Sequence, residues 1–139
     1  MTFLVTGGTG FIGKRVVSLL LKKNINVVAT DINTNSEQEQ LDKYLNQKKI
    51  NKKNLKLIDL DISSKNEIKN IITDNKITNI IACGYQMSNL IDKDPVRGSE
   101  VNIVGMTNLF QATVDFKLNR LVFPSSESVY GMSSDIYNN

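Results

Sequence analysis

The chain has 139 residues, of which 40% are apolar and 22% charged, and this composition is typical of one soluble globular domain rather than two. A single cysteine, Cys83, and the absence of histidine exclude an internal disulfide, cysteine-based metal sites and Ser-His or Cys-His nucleophiles, so we expect no bound metal. No apolar run approaches membrane-spanning length and the net charge is only +3, so we expect a cytoplasmic protein without membrane or nucleic-acid partners.

A glycine-rich turn dominates the N-terminus. The stretch Phe3 to Gly13 reads F-L-V-T-G-G-T-G-F-I-G, with an apolar strand before the turn and a helical apolar pattern after it. Glycines at 7, 10 and 13 suit a tight turn, a close backbone approach to a pyrophosphate and close packing of helix on strand. The first amides of the helix and its dipole favour a phosphate at this point.

An acidic residue ends the second predicted strand, Ile25 to Thr30. Asp31 lies about 20 residues after the glycine turn, where dinucleotide folds hold the adenosine ribose. Its carboxylate would repel a 2′-phosphate, and residues 32–34 bring no Arg or Lys to neutralise one, so NAD is favoured over NADP. The alternative is that Asp31 is only a turn residue.

A polar helix from Ser36 to about Ile50 follows, with a narrow apolar stripe at Leu41, Tyr44 and Leu45 that predicts loose packing. The lysines after it, at 48, 49, 52 and 53, are interpreted as a solvated connection because no aromatic residue is interleaved with them. The third strand, Leu55 to Leu60, leads into Asp61 and Ile62. These two residues are candidates for contact with an adenine, and an equally good alternative is that Asp61 only begins the next helix.

The fourth strand, Ile77 to Gly84, is almost continuously apolar, as expected for a parallel strand covered on both faces. Cys83 is then a small core residue. A loop from Tyr85 to Arg97 and a helix from about Gly98 to Phe116 follow. The inner face of that helix is predicted to carry these residues: Val101, Val104, Gly105, Leu109, Ala112 and Phe116.

The fifth strand, Leu121 to Phe123, precedes the segment S-S-E-S-V-Y-G at residues 125–131, and residues 132–139 have no core-building pattern. Strands alternate with helices throughout. This alternation predicts a doubly wound parallel sheet of the Rossmann type with strand order 3-2-1-4-5 in a domain of residues 1–131, ending in an unstructured segment. Ligands of such sheets bind at the carboxyl ends of the strands, where the candidate residues lie.

The two motifs T-G-G-T-G-F-I-G and S-S-E-S-V-Y-G, together with Asp31, Asp61-Ile62 and Val101-Asn102, occur in family order. On these residues the chain resembles the extended branch of the short-chain dehydrogenase/reductase superfamily, the NAD-dependent nucleotide-sugar epimerases and dehydratases, over residues 2–131. The resemblance implies that the chain holds NAD and that the full-length protein acts on a nucleotide sugar, with a homodimer as a possible assembly.

Carried over by position, the resemblance implies cofactor contacts at the following residues: Gly7, Gly10, Phe11, Ile12 and Gly13 at the pyrophosphate, Asp31 at the ribose, Asp61 and Ile62 at the adenine, and Cys83, Gly84, Tyr85, Asn102 and Ser125 along the remaining cofactor pocket. The segment after the fourth strand departs from the usual His-x-Ala-Ala/Gly, because Ala82 stands in place of the histidine. For Asn102, a purely structural tie between helix and loop is the competing interpretation.

Ser126 matches the catalytic Ser/Thr of the family, which hydrogen-bonds the sugar hydroxyl while a Tyr, assisted by a Lys, removes its proton. The family's Tyr-x-x-x-Lys does not occur after the serine segment, so we expect the N-terminal part of a longer protein, inactive alone. The absence of Thr-Asp-Glu before Val129 favours epimerase or simple dehydrogenase chemistry over 4,6-dehydration. A non-catalytic NAD-binding module, regulatory or for assembly, is the alternative.

Overall fold

The backbone alternates strands with helices, in a computed structural model that describes residues 1–126 and Val129. The strands are β1 (Thr2–Thr6), β2 (Asn26–Asp31), β3 (Leu55–Asp59), β4 (Asn79–Ala82) and β5 (Arg120–Val122). The helices are α1 (Gly13–Lys22), α2 (Thr34–Gln47), α3 (Lys65–Asp74), α4 (Ser88–Ile91), α5 (Pro95–Ser99) and α6 (Met106–Asp115), with a π-helical turn at Glu100–Gly105. Within the described ranges, no helix has both the length and the apolar character needed to cross a bilayer.

The five strands form one parallel sheet in the order β3-β2-β1-β4-β5, which confirms the prediction. Strand β1 lies at the centre, where Leu4 pairs with Val28 of β2 on one side and with Ile80 of β4 on the other. The chain therefore reverses its direction of winding between β1 and β4. Crevices at such a reversal point are where doubly wound sheets bind ligands.

Each face of the sheet carries its own core. Alternate residues of a strand point to opposite faces, so Leu4 packs with α3 and α6 on one side while Val5 packs with α1 and α2 on the other. Burial on both faces explains why β1, β2 and β4 have nearly continuous apolar sequences.

Helix α2 begins two residues before the predicted Ser36. Thr34 starts the helix because its amide and hydroxyl groups both donate to Asp59 Oδ1 at the end of β3, at 2.8 and 2.6 Å. These hydrogen bonds lower the pKa of Asp59. The expectation of loose packing is wrong: the apolar stripe is narrow, yet Leu41 and Leu45 are fully buried against β1, β2 and α1.

The segment predicted as a loop between Tyr85 and Arg97 contains two short helices, α4 and α5. Asp94 caps α5 by accepting a hydrogen bond from the Arg97 amide at 3.0 Å, and Pro95 occupies the first helical position, which suits its fixed φ. The predicted long helix therefore starts at Pro95 rather than Gly98. The cap at Asp94 and the proline at position 95 start a helix here although the surrounding sequence is polar.

The inner face of the long helix differs from the prediction at Val104, which is 48% exposed. The prediction assumed α-helical spacing, whereas residues 100–105 form a π-helix, in which each hydrogen bond spans five residues and the turn is wider. Gly105 packs on the inner face as predicted, and a Cβ there would lie 2.6 Å from Ile62 Cγ1, whereas Val104 is on the outer side of the turn.

The burial of α2 makes a quantitative prediction. Replacing fully buried Leu41 by Ala leaves a cavity between α2 and the sheet and should lower the free energy of unfolding by about 2–4 kcal/mol. The matched control is Leu19→Ala in α1, where the side chain is 59% exposed, and its cost should be below about 1 kcal/mol. Urea unfolding of both variants measures the difference, and equal costs would contradict the packing described for α2.

Candidate functional site

The glycine turn joins β1 to α1 at the carboxyl edge of the sheet. Gly7 has φ 61°, a conformation that residues with a side chain rarely adopt. A Cβ on Gly7 would lie 2.7 Å from the carbonyl group of Cys83 and from the amide nitrogen of Gly84. A Cβ on Gly13 would lie 1.9 Å from the Gly7 carbonyl oxygen. Gly7 and Gly13 are therefore required for the turn itself and for its packing against α1 and the end of β4.

The start of α1 is open to solvent. No side chain in the described part of the chain caps the helix, and the side chains of Phe11 and Ile12 are exposed. The guanidinium of Arg15 stacks 3.8 Å from the centre of the Phe11 ring and donates to the Phe11 carbonyl oxygen. Any contact of Phe11 and Ile12 with a phosphate would thus come from their backbone amides, which belong to the positive end of the helix dipole.

Asp31 lies at the end of β2, next to the glycine turn. Its Oδ2 accepts a hydrogen bond from the hydroxyl of Thr9 at 2.6 Å, and its Oδ1 accepts one from the Ile32 amide at 3.0 Å. A carboxylate accepts about four hydrogen bonds, so both oxygens retain capacity for ribose hydroxyls. Thr9 is buried and fixes the orientation of Asp31, a role that sequence reasoning missed although Thr9 lies inside the motif.

A cavity of about 190 Å³ opens between the carboxyl ends of β1, β2 and β4. Its lining includes these residues predicted to contact the cofactor: Gly7, Asp31, Asp61, Ile62, Gly84 and Tyr85. A larger recess of about 410 Å³ lies at the opposite edge of the sheet, around Met1, Phe3 and Arg120, and none of the predicted site residues lines it. The position rule for doubly wound sheets favours the smaller cavity as the ligand site.

Two residues that line the cavity each carry a buried side-chain oxygen without a hydrogen-bond partner in the described part of the chain. These atoms are Thr30 Oγ1 and Gln86 Oε1. Buried polar atoms are rarely left unpaired, because each costs about 1–3 kcal/mol. These two oxygens suit a polar ligand with hydrogen-bond donors. The start of α1, which has no side-chain cap, suits a phosphate group.

Asp61 is held from two sides. Its Oδ1 accepts hydrogen bonds from the amide of Ser63 at 2.9 Å and from its hydroxyl at 2.7 Å, and its Oδ2 pairs with the guanidinium of Arg97. Desolvation raises the pKa of Asp61. The hydrogen bonds from Ser63, together with the hydrogen bond and the charge of Arg97, lower the pKa by more than desolvation raises it, so the pKa lies below its usual value.

Both interpretations of Asp61 therefore have structural counterparts. Asp61 forms a turn with Ser63 immediately before α3, whose N-cap is Ser64, and it also lines the cavity beside Ile62. Contact with an adenine stays a prediction. Arg97 was missed by sequence reasoning because no local pattern relates it to Asp61, which lies 36 residues away in the sequence.

Asn102 lies in the π-helical turn, and its side chain forms two hydrogen bonds with the backbone of the segment after β4. Its Nδ2 donates to the Gln86 carbonyl oxygen at 2.9 Å, and its Oδ1 accepts from the Gln86 amide at 2.8 Å. The side chain thus ties helix to loop, and its predicted contact with the cofactor stays a prediction. Because Gln86 lines the cavity, Asn102 positions one wall of the site.

Cys83 and Gly84 continue β4 toward the cavity. Their amides donate to the carbonyl oxygen and the hydroxyl of Thr6, at 3.0 and 3.2 Å. The expectation that Cys83 is a core residue is wrong: Cys83 follows the end of β4, is only partly buried and belongs to neither core cluster. Its partial burial raises the pKa of the thiol.

Ser125 and Ser126 follow β5 at the same edge of the sheet and are exposed. Residues 127, 128 and 130–139 lie outside the described residues, including most of the predicted S-S-E-S-V-Y-G segment and the predicted unstructured end.

The chain is similar over nearly its whole length to curated epimerases. It is 31% identical over 132 residues to UDP-glucose 4-epimerase of Yersinia enterocolitica, and 32% identical over 141 residues to UDP-glucuronate 4-epimerase of Thermodesulfobacterium geofontis (strain OPF15). The alignments cover 94% and 95% of this chain but only 38% and 41% of these relatives.

A solved structure extends the similarity to the fold. UDP-glucose 4-epimerase of Thermus thermophilus, in complex with NAD, is 28% identical and superposes with a TM-score of 0.74. The match covers 91% of this chain and 38% of that structure.

The strand order, the glycine turn and the acid after β2 define a dinucleotide-binding domain of the Rossmann type. Residues 3–139 match the NAD dependent epimerase/dehydratase family, and the chain belongs to that family. The predicted family, the predicted fold and NAD as the family's cofactor are thereby confirmed.

Proposed function

We propose that the chain is the NAD-binding part of an epimerase or dehydratase that acts on a nucleotide sugar. The observation that carries the proposal is the placement of Gly7 and Asp31 in the wall of the cavity at the carboxyl edge of a family-typical sheet, with Gly13 packed closely against Gly7. Relatives named as UDP-glucose and UDP-glucuronate 4-epimerases support a nucleotide sugar as the substrate class. The cytoplasm as the site of action stays a prediction from sequence.

In this proposal the backbone of the glycine turn holds the pyrophosphate, and Asp31 binds the adenosine ribose. Thr9 keeps the Asp31 carboxylate oriented toward the turn, since it donates to Oδ2 at 2.6 Å. The negative charge of Asp31 disfavours a 2′-phosphate, which accounts for NAD rather than NADP. Asp61 and Ile62 contact the adenine, and Gly84 and Tyr85 line another part of the cavity.

Removal of the Asp31 carboxylate tests this placement. Asp31→Ala should weaken NAD binding by about 10- to 100-fold, because a charged acceptor of ribose hydroxyl groups is lost. It should also reduce the preference for NAD over NADP. The matched control, Lys48→Ala, removes a charge at an exposed position after α2 and should leave affinity unchanged. Calorimetric titration measures both, and equal effects would refute the assignment of Asp31.

Ser126 is proposed to orient the reacting sugar hydroxyl by a hydrogen bond. NAD, when bound, supplies the acceptor for the hydride that leaves the carbon of that hydroxyl. The location of Ser126 after β5, at the edge of the sheet that carries the glycine turn, supports this role. The base would be a Tyr whose pKa is lowered by a Lys, in a Tyr-x-x-x-Lys beyond Ser126.

Turnover separates this enzyme from the alternative, a non-catalytic NAD-binding module. In protein expressed from the complete gene, conversion of UDP-glucose to its 4-epimer serves as the probe reaction. Ser126→Ala should lower kcat about 100-fold and change the affinity for NAD by less than about threefold. Ser99→Ala, an exposed serine at the end of α5, is the control. Full activity of Ser126→Ala, or no Tyr-x-x-x-Lys encoded in the next helix, would overturn the catalytic proposal.

We further propose that the protein forms a homodimer through the outer face of the long helix. Ile103 and Val114 are 65% and 71% exposed and flank Phe110, which is 41% exposed and stacks edge-on against Phe123 at 5.4 Å. Spacings of seven and four residues place the three helical side chains along one apolar stripe. A second copy would bury this stripe.

Charge on the stripe tests the dimer. Val114→Lys should shift the protein to a monomer in sedimentation velocity, because a buried unpaired ammonium group is costly. Leu19→Lys in α1 is the matched control, since Leu19 is 59% exposed and α1 packs on the other face of the sheet. A dimer that persists unchanged in Val114→Lys would contradict the proposed interface.

A further inference from the structure

The ion pair between Asp61 and Arg97 connects the end of β3 to α5. Arg97 reaches Asp61 from outside the cavity: Asp61 is among the lining residues, whereas Arg97 is not. The guanidinium also donates to the Ser63 hydroxyl at 2.9 Å and to Glu100 Oε2 at 3.2 Å. The side chains of Asp61 and Arg97 are 28% and 26% exposed, so solvent screens their attraction only partly.

The partners of Asp61 leave it little capacity toward the cavity. A carboxylate offers about four acceptor positions. Ser63 occupies both positions of Oδ1 with its amide and hydroxyl groups, and Arg97 takes one of the two on Oδ2. The remaining position belongs to an oxygen whose negative charge is already neutralised by a guanidinium.

Arg97 is not needed to orient the carboxylate. The two hydrogen bonds from Ser63 fix the plane of Asp61 through a short local turn, and the Asp61 amide is held by Glu67 Oε2 at 3.0 Å. Loss of Arg97 would therefore leave Oδ2 in place, unshared and with its full charge. A hydrogen bond to a charged group is about twice as strong as one between neutral groups.

We propose that Arg97 is a positioning residue that sets how strongly the site discriminates between purine bases, by sharing Asp61 Oδ2 with the exocyclic group of the bound base. The inference rests on the proposed function, which places the adenine of NAD beside Asp61. With Arg97 present, Asp61 is a weakened acceptor and the 6-amino group of adenine gains little from it. Without Arg97, Asp61 favours the 6-amino group strongly.

The test compares NAD with nicotinamide purine dinucleotide, which carries a hydrogen atom in place of the 6-amino group and has no donor on this edge of the base. The quantity measured is the ratio of the two dissociation constants, because a general effect on dinucleotide binding or on folding cancels in it. Arg97→Leu should increase the preference for NAD by about five- to tenfold over that of the unmodified protein. Arg97→Gln, which keeps a donor but loses the charge, should give a smaller increase.

Two controls isolate the path through Asp61. Glu100→Gln removes a charge that also binds Arg97 but leaves the Asp61 pair intact, so the ratio should not rise. In an Asp61→Asn background, Arg97→Leu should have no effect on the ratio, because the negative charge that Arg97 neutralises is gone and only a neutral amide remains.

An unchanged ratio in Arg97→Leu, with both dinucleotides bound, would overturn this inference and leave the proposed function standing. A rise that persists in the Asp61→Asn background would also overturn it. Absence of binding of either dinucleotide to the unmodified protein would overturn the proposed function together with the inference. Loss of folding in both Arg97 variants, judged by circular dichroism, would assign Arg97 a purely structural role and reject the proposal.

Discussion

Close backbone packing at the glycine turn is the constraint on which the site depends. The turn is wedged between the end of β4 and the start of α1, with no room for a Cβ at Gly7 or Gly13. This contact brings the first amides of α1, the end of β2 and the segment after β4 to one edge of the sheet. A side chain at either position would separate the start of α1 from the strands and from the cavity.

Three aspartates at or near the strand ends accept hydrogen bonds, each with a different structural role. Asp31 is bound by Thr9 of the glycine turn, Asp59 begins α2 through Thr34, and Asp61 is shared by Ser63 and Arg97. Each carboxylate accepts hydrogen bonds from a neighbouring loop or helix, so hydrogen bonds help to organise the carboxyl edge of the sheet. The spare acceptor capacity of Asp31 is what a ligand can use, whereas most of the capacity of Asp61 is taken by Ser63 and Arg97.

Much of the fold and part of the site could be predicted from sequence, because the decisive signals are local. Apolar runs, glycine spacing and the alternation of strand and helix determine the strand order through general rules of handedness. The segment between β4 and α6 was less predictable. The start of α5 has a local signal, the Asp94 cap followed by a proline, but the surrounding sequence is polar and was interpreted as a loop. The π-helical turn at residues 100–105, which leaves Val104 exposed, has no sequence signature.

The sequence by itself determined the class of protein, because Gly7, Gly13 and Asp31 act through backbone geometry and position along the chain. Only the tertiary structure decided what surrounds Asp61 and Asn102. Arg97 meets Asp61 across 36 residues, and Asn102 closes on the Gln86 backbone from a helix 16 residues away. Such contacts depend on how α5 and the π-helical turn pack over the sheet edge, and side-chain pairing across separate elements leaves no periodic trace in the sequence.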